Sequence, residues 1–251
     1  MTSLMLKQFL KNMYSVLSNS YLHLAYPSQC LHCRNLLSPS SLALCADCAY
    51  QLELVNPEER CPTCFNVFSD PLFYRCDLCV QYPSLGYKGN AAAFDYAGPA
   101  ATLVRCLKYA DQPHLALGMG AFLVAQWEQL GWPWPDALIP VPIAFSHWLC
   151  RGYNQSELLA EAMGQYLGRP VWRALKRKSG DYSQAALSLE QRRALDSLQF
   201  HLRSRYPLEG KTLLIIDDVQ TSGATLQGCA EAIRQGYPSA CYALTFCRSI
   251  T

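Results

Sequence analysis

Downstream of about residue 86, apolar residues alternate between helical spacing and short continuous runs. Helical spacing predicts amphipathic helices, and the short runs predict buried strands. Strands that alternate with helices are typical of a parallel sheet, so the predicted fold class is α/β, a parallel sheet flanked by helices. Ser156 is predicted as the N-cap of the third helix. The predicted helices cover residues 98–109, 113–130, 156–167 and 224–235, and the predicted strands cover residues 137–143, 211–216 and 240–246.

Residues 1–26 also carry apolar side chains at helical spacing, with Lys7 and Lys11 between them. The lysines, without a small-residue cleavage motif after them, argue against a signal peptide and a transmembrane segment, so we expect a cytoplasmic protein. We predict an amphipathic helix that docks on the rest of the protein, with a membrane surface or a partner as the alternative contact. The predicted segments are this helix (1–26), a cysteine-rich domain (27–85) and the α/β domain (86–251).

Composition adds few limits on function. The chain has 251 residues, 51% of them hydrophobic and 16% charged, so it can bury a sizeable core. Its formal net charge of +2 gives no overall electrostatic signal for nucleic acid. Arg173 and the basic residues 176–178 could follow a nucleic-acid backbone, with a solvated helix end as the simpler interpretation. Most tryptophans lie in apolar stretches and are predicted to be core residues.

The thirteen cysteines are the strongest signal in the composition. Eight of them form four Cys-x-x-Cys pairs that repeat with an offset of 31 residues, which indicates an internal duplication. Two such pairs can form the tetrahedral thiolate cage that Zn²⁺ prefers, and a bound metal stabilises a segment too short to bury its own core. We therefore predict two structural Zn²⁺ sites. Their predicted ligands are Cys30, Cys33, Cys45, Cys48, Cys61, Cys64, Cys76 and Cys79.

Other interpretations of these pairs fit less well. Disulfides need an oxidising compartment, a redox Cys-x-x-Cys needs a surrounding βαβ pattern, and four regular pairs are less typical of an iron–sulfur cluster. The pairing stays open between a sequential arrangement, with the first four and the last four cysteines each closing one site, and a cross-braced one. The sequential arrangement is favoured because it follows the duplication. The five remaining cysteines are predicted to be small buried hydrophobic residues.

The stretch IIDDVQTSGAT combines an apolar strand, two carboxylates and a hydroxyl-rich turn before a helix. Ligands of parallel sheets bind beyond the carboxyl ends of strands, where Asp217 and Asp218 are predicted to stand. The free N–H groups that open the next helix suit a phosphate, which residues 221–225 can surround with hydroxyls and with close backbone approach at Gly223. Carboxylates repel phosphate and instead suit sugar hydroxyls or Mg²⁺. Together these residues predict a sugar-phosphate site.

Two other interpretations of this stretch are weaker. Residues 210–212 (GKT) resemble the end of a nucleotide-binding P-loop, but they precede a strand, and Arg205 stands where that motif requires its first glycine. The aspartates could also cap the following helix and have no ligand.

IIDDVQTSGAT resembles the phosphoribosyl pyrophosphate (PRPP) signature of type I phosphoribosyltransferases, with Gln220 in place of the usual aliphatic residue. With the cysteine pairs and RGYNQSELLA (residues 151–160), the chain resembles the ComF/GntX family of bacterial competence and DNA-utilisation proteins. Another pattern of that family is partly kept, with matches at Gln184, Leu187, Arg192 and Phe200 and departures at Asp181 and Leu195.

The resemblance implies a type I phosphoribosyltransferase-like domain behind a double zinc ribbon. It implies that Asp217 and Asp218 hold the ribose hydroxyls of PRPP, which binds with Mg²⁺, while the following turn holds the 5′-phosphate. Lys108 would lie near the pyrophosphate, and Arg192 would lie on a mobile loop. Arg151, with Asn154 and Gln155, would lie at the mouth of the cleft. The PRPP-binding set implied in this way is Lys108, Arg151, Arg192, Asp217, Asp218, Thr221, Ser222, Gly223, Ala224 and Thr225.

Three functions are consistent with these features. The first is a phosphoribosyltransferase that displaces pyrophosphate from PRPP, although the sequence names neither an acceptor nor a catalytic residue. The second is a non-catalytic module that handles single-stranded DNA during natural transformation and retains the sugar-phosphate pocket. The third is an adaptor for DNA-uptake proteins at the inner membrane, which would use residues 1–26.

Overall fold

A computed structural model describes residues 28–38, 43–67, 76, 79, 86–178, 199–203 and 205–249. The predicted helix over residues 1–26 lies outside this part of the chain. The chain divides into two compact units, residues 1–52 and residues 53–251. The first four paired cysteines belong to the first unit, and the last four belong to the second unit together with the sheet. Among the helices in the described ranges, none is long and apolar enough to cross a membrane.

A parallel sheet with strand order β1-β6-β5-β2 forms the centre of the second unit. Its strands are β1 (Gly89–Asp95), β2 (Ala137–Pro140), β5 (Thr212–Gln220) and β6 (Ala240–Arg248), and β3 (Leu175–Arg177) forms a separate antiparallel pair with β4 (Phe200–Leu202). The α-helices of the described residues are α1 (Ala46–Tyr50), α2 (Gly98–Tyr109), α3 (Leu115–Leu130), α4 (Phe145–Arg151), α5 (Gln155–Leu167) and α6 (Ala224–Arg234). Helices α3, α5 and α6 pack on the sheet. The predicted parallel sheet flanked by helices is confirmed.

The strand β1 was not predicted from the sequence. Its sequence GNAAAFD contains three alanines, which are weak strand formers. The strand exists because it pairs with β6 along its length and buries its first six residues. Helix α4 and the short pair β3–β4 were also not predicted, since neither carries a long periodic pattern.

Strand β5 is held from both faces of the sheet. Leu213 and Ile215 lie in one core cluster with Ile233 of α6, and the alternate residues Leu214 and Ile216 are also buried. Burial on both faces is typical of a central parallel strand covered by helices. The strand therefore carries the acidic residues that follow Ile216 at a fixed position in the second unit.

The five cysteines outside the Cys-x-x-Cys pairs differ in their exposure. Cys229, Cys241 and Cys247 are buried, as predicted. The prediction is wrong for Cys150, which is exposed, and Cys106 is only partly buried. Cys150 is exposed because α4 buries none of its residues.

Candidate functional site

Asp217 and Asp218 lie inside β5, at the edge of the sheet where β2 has already ended. The last pair between β2 and β5 joins Pro140 to Ile216, whereas β5 continues beside β6 to Gln220. The predicted end of this strand at Ile216 is therefore wrong by four residues, because pairing with β6 keeps the acids in extended backbone. Both carboxylates consequently stand beyond the carboxyl end of β2, as a ligand site of a parallel sheet requires.

The two carboxylates have different partners. The Ser156 hydroxyl donates a hydrogen bond to Asp217 Oδ1 at 2.6 Å, and the backbone N–H of Asp218 donates to the same oxygen at 2.9 Å. The Lys108 ammonium nitrogen lies 3.0 Å from Asp218 Oδ1, in an ion pair whose side chains are 22% and 8% exposed. Asp218 is thus neutralised by a cation, while Asp217 is held by neutral donors.

This difference affects the protonation of the site. Burial, and then the charge of Asp218, raise the pKa of Asp217 to about 7, although the bonds from Ser156 and from the Asp218 N–H oppose the shift. Burial alone would lower the pKa of Lys108, but the two carboxylates outweigh it and the pKa is raised. Near neutral pH, the site therefore carries a charged lysine, and Asp217 can exchange its proton.

The turn between β5 and α6 follows directly after the acids. Gly223 is the N-cap of α6 and has a φ of +77°, a left-handed conformation that favours glycine. Thr221 and Ser222 are exposed, and the Ser222 hydroxyl accepts a hydrogen bond of 3.4 Å from the N–H of Ala224. Helix α6 has eleven residues, so its N-terminus presents N–H groups and partial positive charge. These are the features that bind a phosphate at a helix start.

A cavity of about 710 Å³ includes Lys108 among its lining residues. Arg151 also lines it, and its guanidinium carbon lies 5.0 Å from the centre of the Tyr109 ring. The structure thus brings these two predicted cations to one cavity. The lining residues are Lys108, Tyr109, Asp111, His147, Cys150, Arg151, Gly152 and Tyr153.

The residues after Arg151 build the start of α5. Asn154 is the N-cap, since its Oδ1 accepts a bond from the Ser156 N–H at 3.1 Å and its Nδ2 donates to the Val141 carbonyl at 2.9 Å. Gln155 is buried and accepts a bond from Arg151. The prediction of Ser156 as the N-cap is therefore wrong, because asparagine two residues earlier already caps the helix. Its hydroxyl is left for Asp217, a contact with no signal in the sequence.

Several predicted residues of the family pattern lie outside the described residues, namely Asp181, Gln184, Leu187, Arg192 and Leu195. Phe200 is described, and it is buried in β4 with the Arg177 guanidinium 5.6 Å from its ring centre. The role of Arg192 on a loop over the substrate therefore stays a prediction.

The eight paired cysteines come together in two groups, and the grouping is sequential. Within each group all four sulfurs lie within 4.8 Å of one another. The Sγ–Sγ distances include 3.6 Å for Cys33–Cys45, 3.7 Å for Cys61–Cys79 and 3.2 Å for Cys64–Cys76. Zinc–sulfur bonds of about 2.3 Å in a tetrahedron place sulfurs about 3.8 Å apart. The donor sets therefore fit Zn²⁺.

The backbone confirms the internal duplication. Cys30 N–H donates to the carbonyl of residue 35, and Cys61 N–H donates to the carbonyl of residue 66, both at 2.8 Å. Arg34 and Phe65 have positive φ values of 66° and 63° at equivalent places. A hydrogen bond from Cys64, and then backbone N–H groups that outweigh burial, lower the pKa of Cys61 to about 3. The same hydrogen bond, together with burial, raises the pKa of Cys64, so this pair favours one thiolate before a metal binds.

The first group (Cys30, Cys33, Cys45 and Cys48) and the second group (Cys61, Cys64, Cys76 and Cys79) differ in burial. All four sulfur-bearing residues of the second group are buried, whereas Cys33 in the first group is exposed and Cys45 is partly exposed. The second group lies against the sheet of its own unit, where the buried Arg248 of β6 donates to the Cys64 carbonyl at 2.5 Å.

The chain is similar to curated proteins along most of its length. It is 27% identical over 234 residues to DNA utilization protein YhgH of Salmonella typhi, which covers 90% of this chain and 100% of that protein. It is 28% identical over 219 residues to competence protein F of Haemophilus influenzae, covering 82% of this chain and 91% of the relative. These relatives bear out the resemblance to bacterial competence and DNA-utilisation proteins that the sequence predicted. A third relative is competence protein ComFC of Streptococcus pneumoniae, at 27% identity over 193 residues, 76% of this chain and 81% of that one.

No family model matches this chain. Similar solved structures include a purine phosphoribosyltransferase from Pyrococcus horikoshii, at 16% identity and a TM-score of 0.33 over 55% of this chain and 82% of that one. Another is a Trypanosoma cruzi hypoxanthine phosphoribosyl transferase, at 16% identity and a TM-score of 0.34 over 54% of this chain and 64% of that one. Scores this low carry no argument about activity.

The chain also exposes aromatic side chains near the cavity. Phe145 and Trp148 of α4 stack with ring centres 6.0 Å apart, and both are exposed, as is Tyr109. Trp134 is exposed as well, Trp132 and Trp172 are partly buried, and only Trp127 of the five is buried, so the prediction that most tryptophans are core residues is wrong.

The predicted basic run is partly neutralised. Arg173 forms ion pairs with Glu157 and Glu161 of α5. Arg177 donates two hydrogen bonds to Gln199, at 3.1 and 2.8 Å. The run therefore leaves less free positive charge for a nucleic-acid backbone than its sequence indicates.

Proposed function

We propose that this protein binds PRPP or a related sugar phosphate, with Mg²⁺, at Asp217, Asp218 and the turn of residues 221–225. The observation that carries the proposal is the order of groups at this edge of the sheet. Two carboxylates stand beyond the end of β2, and an exposed hydroxyl-rich turn leads from them into α6. The carboxylates would accept bonds from the ribose hydroxyls, while the turn and the N-terminus of α6 would bind the 5′-phosphate.

The cavity would bind the pyrophosphate of PRPP. Lys108 and Arg151 both line it, and Lys108 already lies beside Asp218. Mg²⁺, bound with the ligand, would neutralise phosphate charge and take oxygen ligands, which carboxylates supply. The proposed chemistry is displacement of pyrophosphate from the anomeric carbon of PRPP by an acceptor nucleophile.

The proposed biological role is in DNA uptake or use. The relatives' names, DNA utilization protein and competence protein, support that role for this chain. Two structural Zn²⁺ ions in the cysteine groups and a cytoplasmic location belong to the same proposal.

The experiment is a calorimetric titration of PRPP with excess Mg²⁺ into the zinc-loaded protein, repeated with ribose 5-phosphate and with pyrophosphate alone. Binding that needs Mg²⁺ and is strongest for PRPP supports the proposal. If pyrophosphate alone binds as tightly as PRPP, the ligand would be assigned to the cation-lined cavity. That result would contradict a sugar site on the carboxylates.

Binding is expected to depend on pH through Asp217. Its carboxyl has a pKa raised to about 7, and the ionised form accepts stronger, charge-assisted bonds from sugar hydroxyls than the neutral form does. PRPP affinity should therefore rise between about pH 6 and pH 8. Because phosphate groups also titrate near about pH 6, the measurement compares wild type with Asp217→Asn. The PRPP affinity of wild type should rise more steeply with pH than that of the variant. Equal slopes would contradict the assignment of this pH dependence to Asp217.

The same shift has a consequence for the ligand-free protein. The folded-state pKa of Asp217 lies above its unfolded value of about 3.9, so the folded state binds the proton more tightly. The stability that this provides is present below about pH 4 and is lost as the pH rises to about 7. Ligand binding opposes that loss.

A second candidate function is binding of single-stranded DNA. The observation that favours it is the exposed stack of Phe145 and Trp148, near a cavity that Lys108 and Arg151 line. Exposed aromatic rings beside cations are the elements that hold successive bases and the backbone of a single strand.

We expect Phe145→Ala/Trp148→Ala to weaken binding of a fluorescent oligothymidine by roughly 10-fold or more if bases stack there. Trp134→Ala is the matched control, since Trp134 is similarly exposed but contacts Trp127 and Arg169. Anisotropy titrations over a range of salt concentrations measure both. Equal affinities of the two variants would remove the α4 stack as a DNA site.

A further inference from the structure

Gln220, which departs from the family signature, forms a hydrogen bond with a residue on another strand of the sheet. Gln220 is the last residue of β5, directly before the turn, and its side chain is 4% exposed. Its Oε1 accepts a hydrogen bond from Asn90 Nδ2 at 2.7 Å. The residues are 130 positions apart in the chain. The amide at position 220 is therefore satisfied in the interior.

The Gln220 side chain also contacts the turn between β5 and α6. A Cβ placed on Gly223 would lie 3.0 Å from Gln220 Nε2, so the glutamine amide lies directly against the backbone of the turn. Gly223 has its left-handed conformation at this point and caps α6. The Gln220 side chain thus packs against the backbone of the turn.

Asn90 connects this contact to the second cysteine group. It is completely buried at the start of β1, and its Nδ2 also lies 3.4 Å from the Cys64 carbonyl. Arg248, which pairs in register with Gln220, donates to the same carbonyl and to Asn66 Oδ1. The peptide of a predicted metal ligand is therefore held by two buried side chains of the sheet, one of which holds Gln220.

We infer that the metal of the second group positions the phosphate-binding turn through Cys64, Asn90 and Gln220. A metal that closes the four thiolates fixes the Cys64 knuckle. The fixed Cys64 carbonyl then orients the Asn90 amide. The Asn90 amide in turn orients the Gln220 side chain against Gly223. Asn90 and Gln220 are positioning residues, and the inference rests on the sugar-phosphate function proposed above.

The coupling must act in both directions. If the metal favours the ligand-bound turn, the bound ligand must favour retention of the metal by the same factor. Couplings between sites are typically about 5- to 150-fold. The first group belongs to the other compact unit, so it serves as an internal control in the same molecule.

The test measures zinc transfer from the full-length protein to a chromogenic chelator, with and without saturating PRPP and Mg²⁺. Calorimetry first establishes whether PRPP binds. We expect PRPP to slow release of one of the two zinc ions about 10-fold, and not to affect the other. Gln220→Leu should still hold two zinc ions but lose this protection, and its turn amides should exchange hydrogen faster.

Gln126→Leu is the matched control, because Gln126 is another buried glutamine of this unit whose amide donates to a backbone carbonyl, that of Val55. It should keep the protection. If Gln220→Leu does not fold, Gln220→Met keeps the chain length while removing the amide. PRPP binding with unchanged zinc release in wild type would overturn the coupling and leave the proposed function intact. Absence of PRPP binding would overturn both.

Discussion

We expect Asp217→Asn/Asp218→Asn to weaken Mg²⁺-dependent binding of PRPP by about 100-fold or more, because each charge-assisted hydrogen bond is worth roughly 1.5–3 kcal/mol. The substitutions keep the size of both side chains and remove the negative charge that would bind sugar hydroxyls and Mg²⁺. Calorimetry at pH 8, where Asp217 is ionised in wild type, measures the loss.

Asp136→Asn is the matched control for this pair. Asp136 lies at the opposite end of β5, where it accepts a bond from the Thr212 N–H at 2.8 Å and pairs with Lys211 at 3.3 Å. Its substitution should leave PRPP affinity nearly unchanged. PRPP binding that survives the double substitution, or that falls equally in the control, would place the sugar somewhere else.

The second large effect is expected from the second cysteine group. Cys61→Ser/Cys64→Ser should cost one zinc ion and lower the melting temperature of the second unit by about 20 °C or more, given an apparent binding free energy of about 10–16 kcal/mol for structural zinc and about 2–4 °C per kcal/mol for this size. The physical reason is the burial of all four ligands and the contact of Arg248 with Cys64. Metal analysis and calorimetric melting measure both quantities.

Cys30→Ser/Cys33→Ser is the corresponding change in the first group. It should also cost one zinc ion, yet leave the main melting transition close to wild type, since the first group belongs to the other compact unit. Equal destabilisation by both pairs would contradict the separate roles. Two zinc ions retained by either variant would contradict the assigned ligands.

The cysteine groups could be predicted from the sequence because their ligands are close along the chain. Each Cys-x-x-Cys pair forms its own turn, and the repeat of 31 residues indicates which pairs belong together. The parallel sheet was predictable for similar reasons, from apolar runs between helical patterns. Strand β1 was not, because its alanines become strand only when β6 and the covering helices bury them.

The candidate site was predictable only in its local part. The acidic pair and the turn lie in one continuous stretch, so their proximity needs no tertiary information. The contacts Ser156–Asp217 and Asn90–Gln220 join residues 61 and 130 positions apart. Such pairs depend on strand order and register, which one sequence does not reveal. Asn90 had a weak signal, as a polar residue in an apolar run.

The most direct test of the sugar-phosphate site is a crystal structure of the zinc-loaded protein with PRPP and Mg²⁺. The account predicts the ribose hydroxyls within hydrogen-bond distance of Asp217 and Asp218, and the 5′-phosphate on the N–H groups of residues 221–225. PRPP bound elsewhere, or carboxylates still paired only with Ser156 and Lys108 when the protein is saturated, would contradict it.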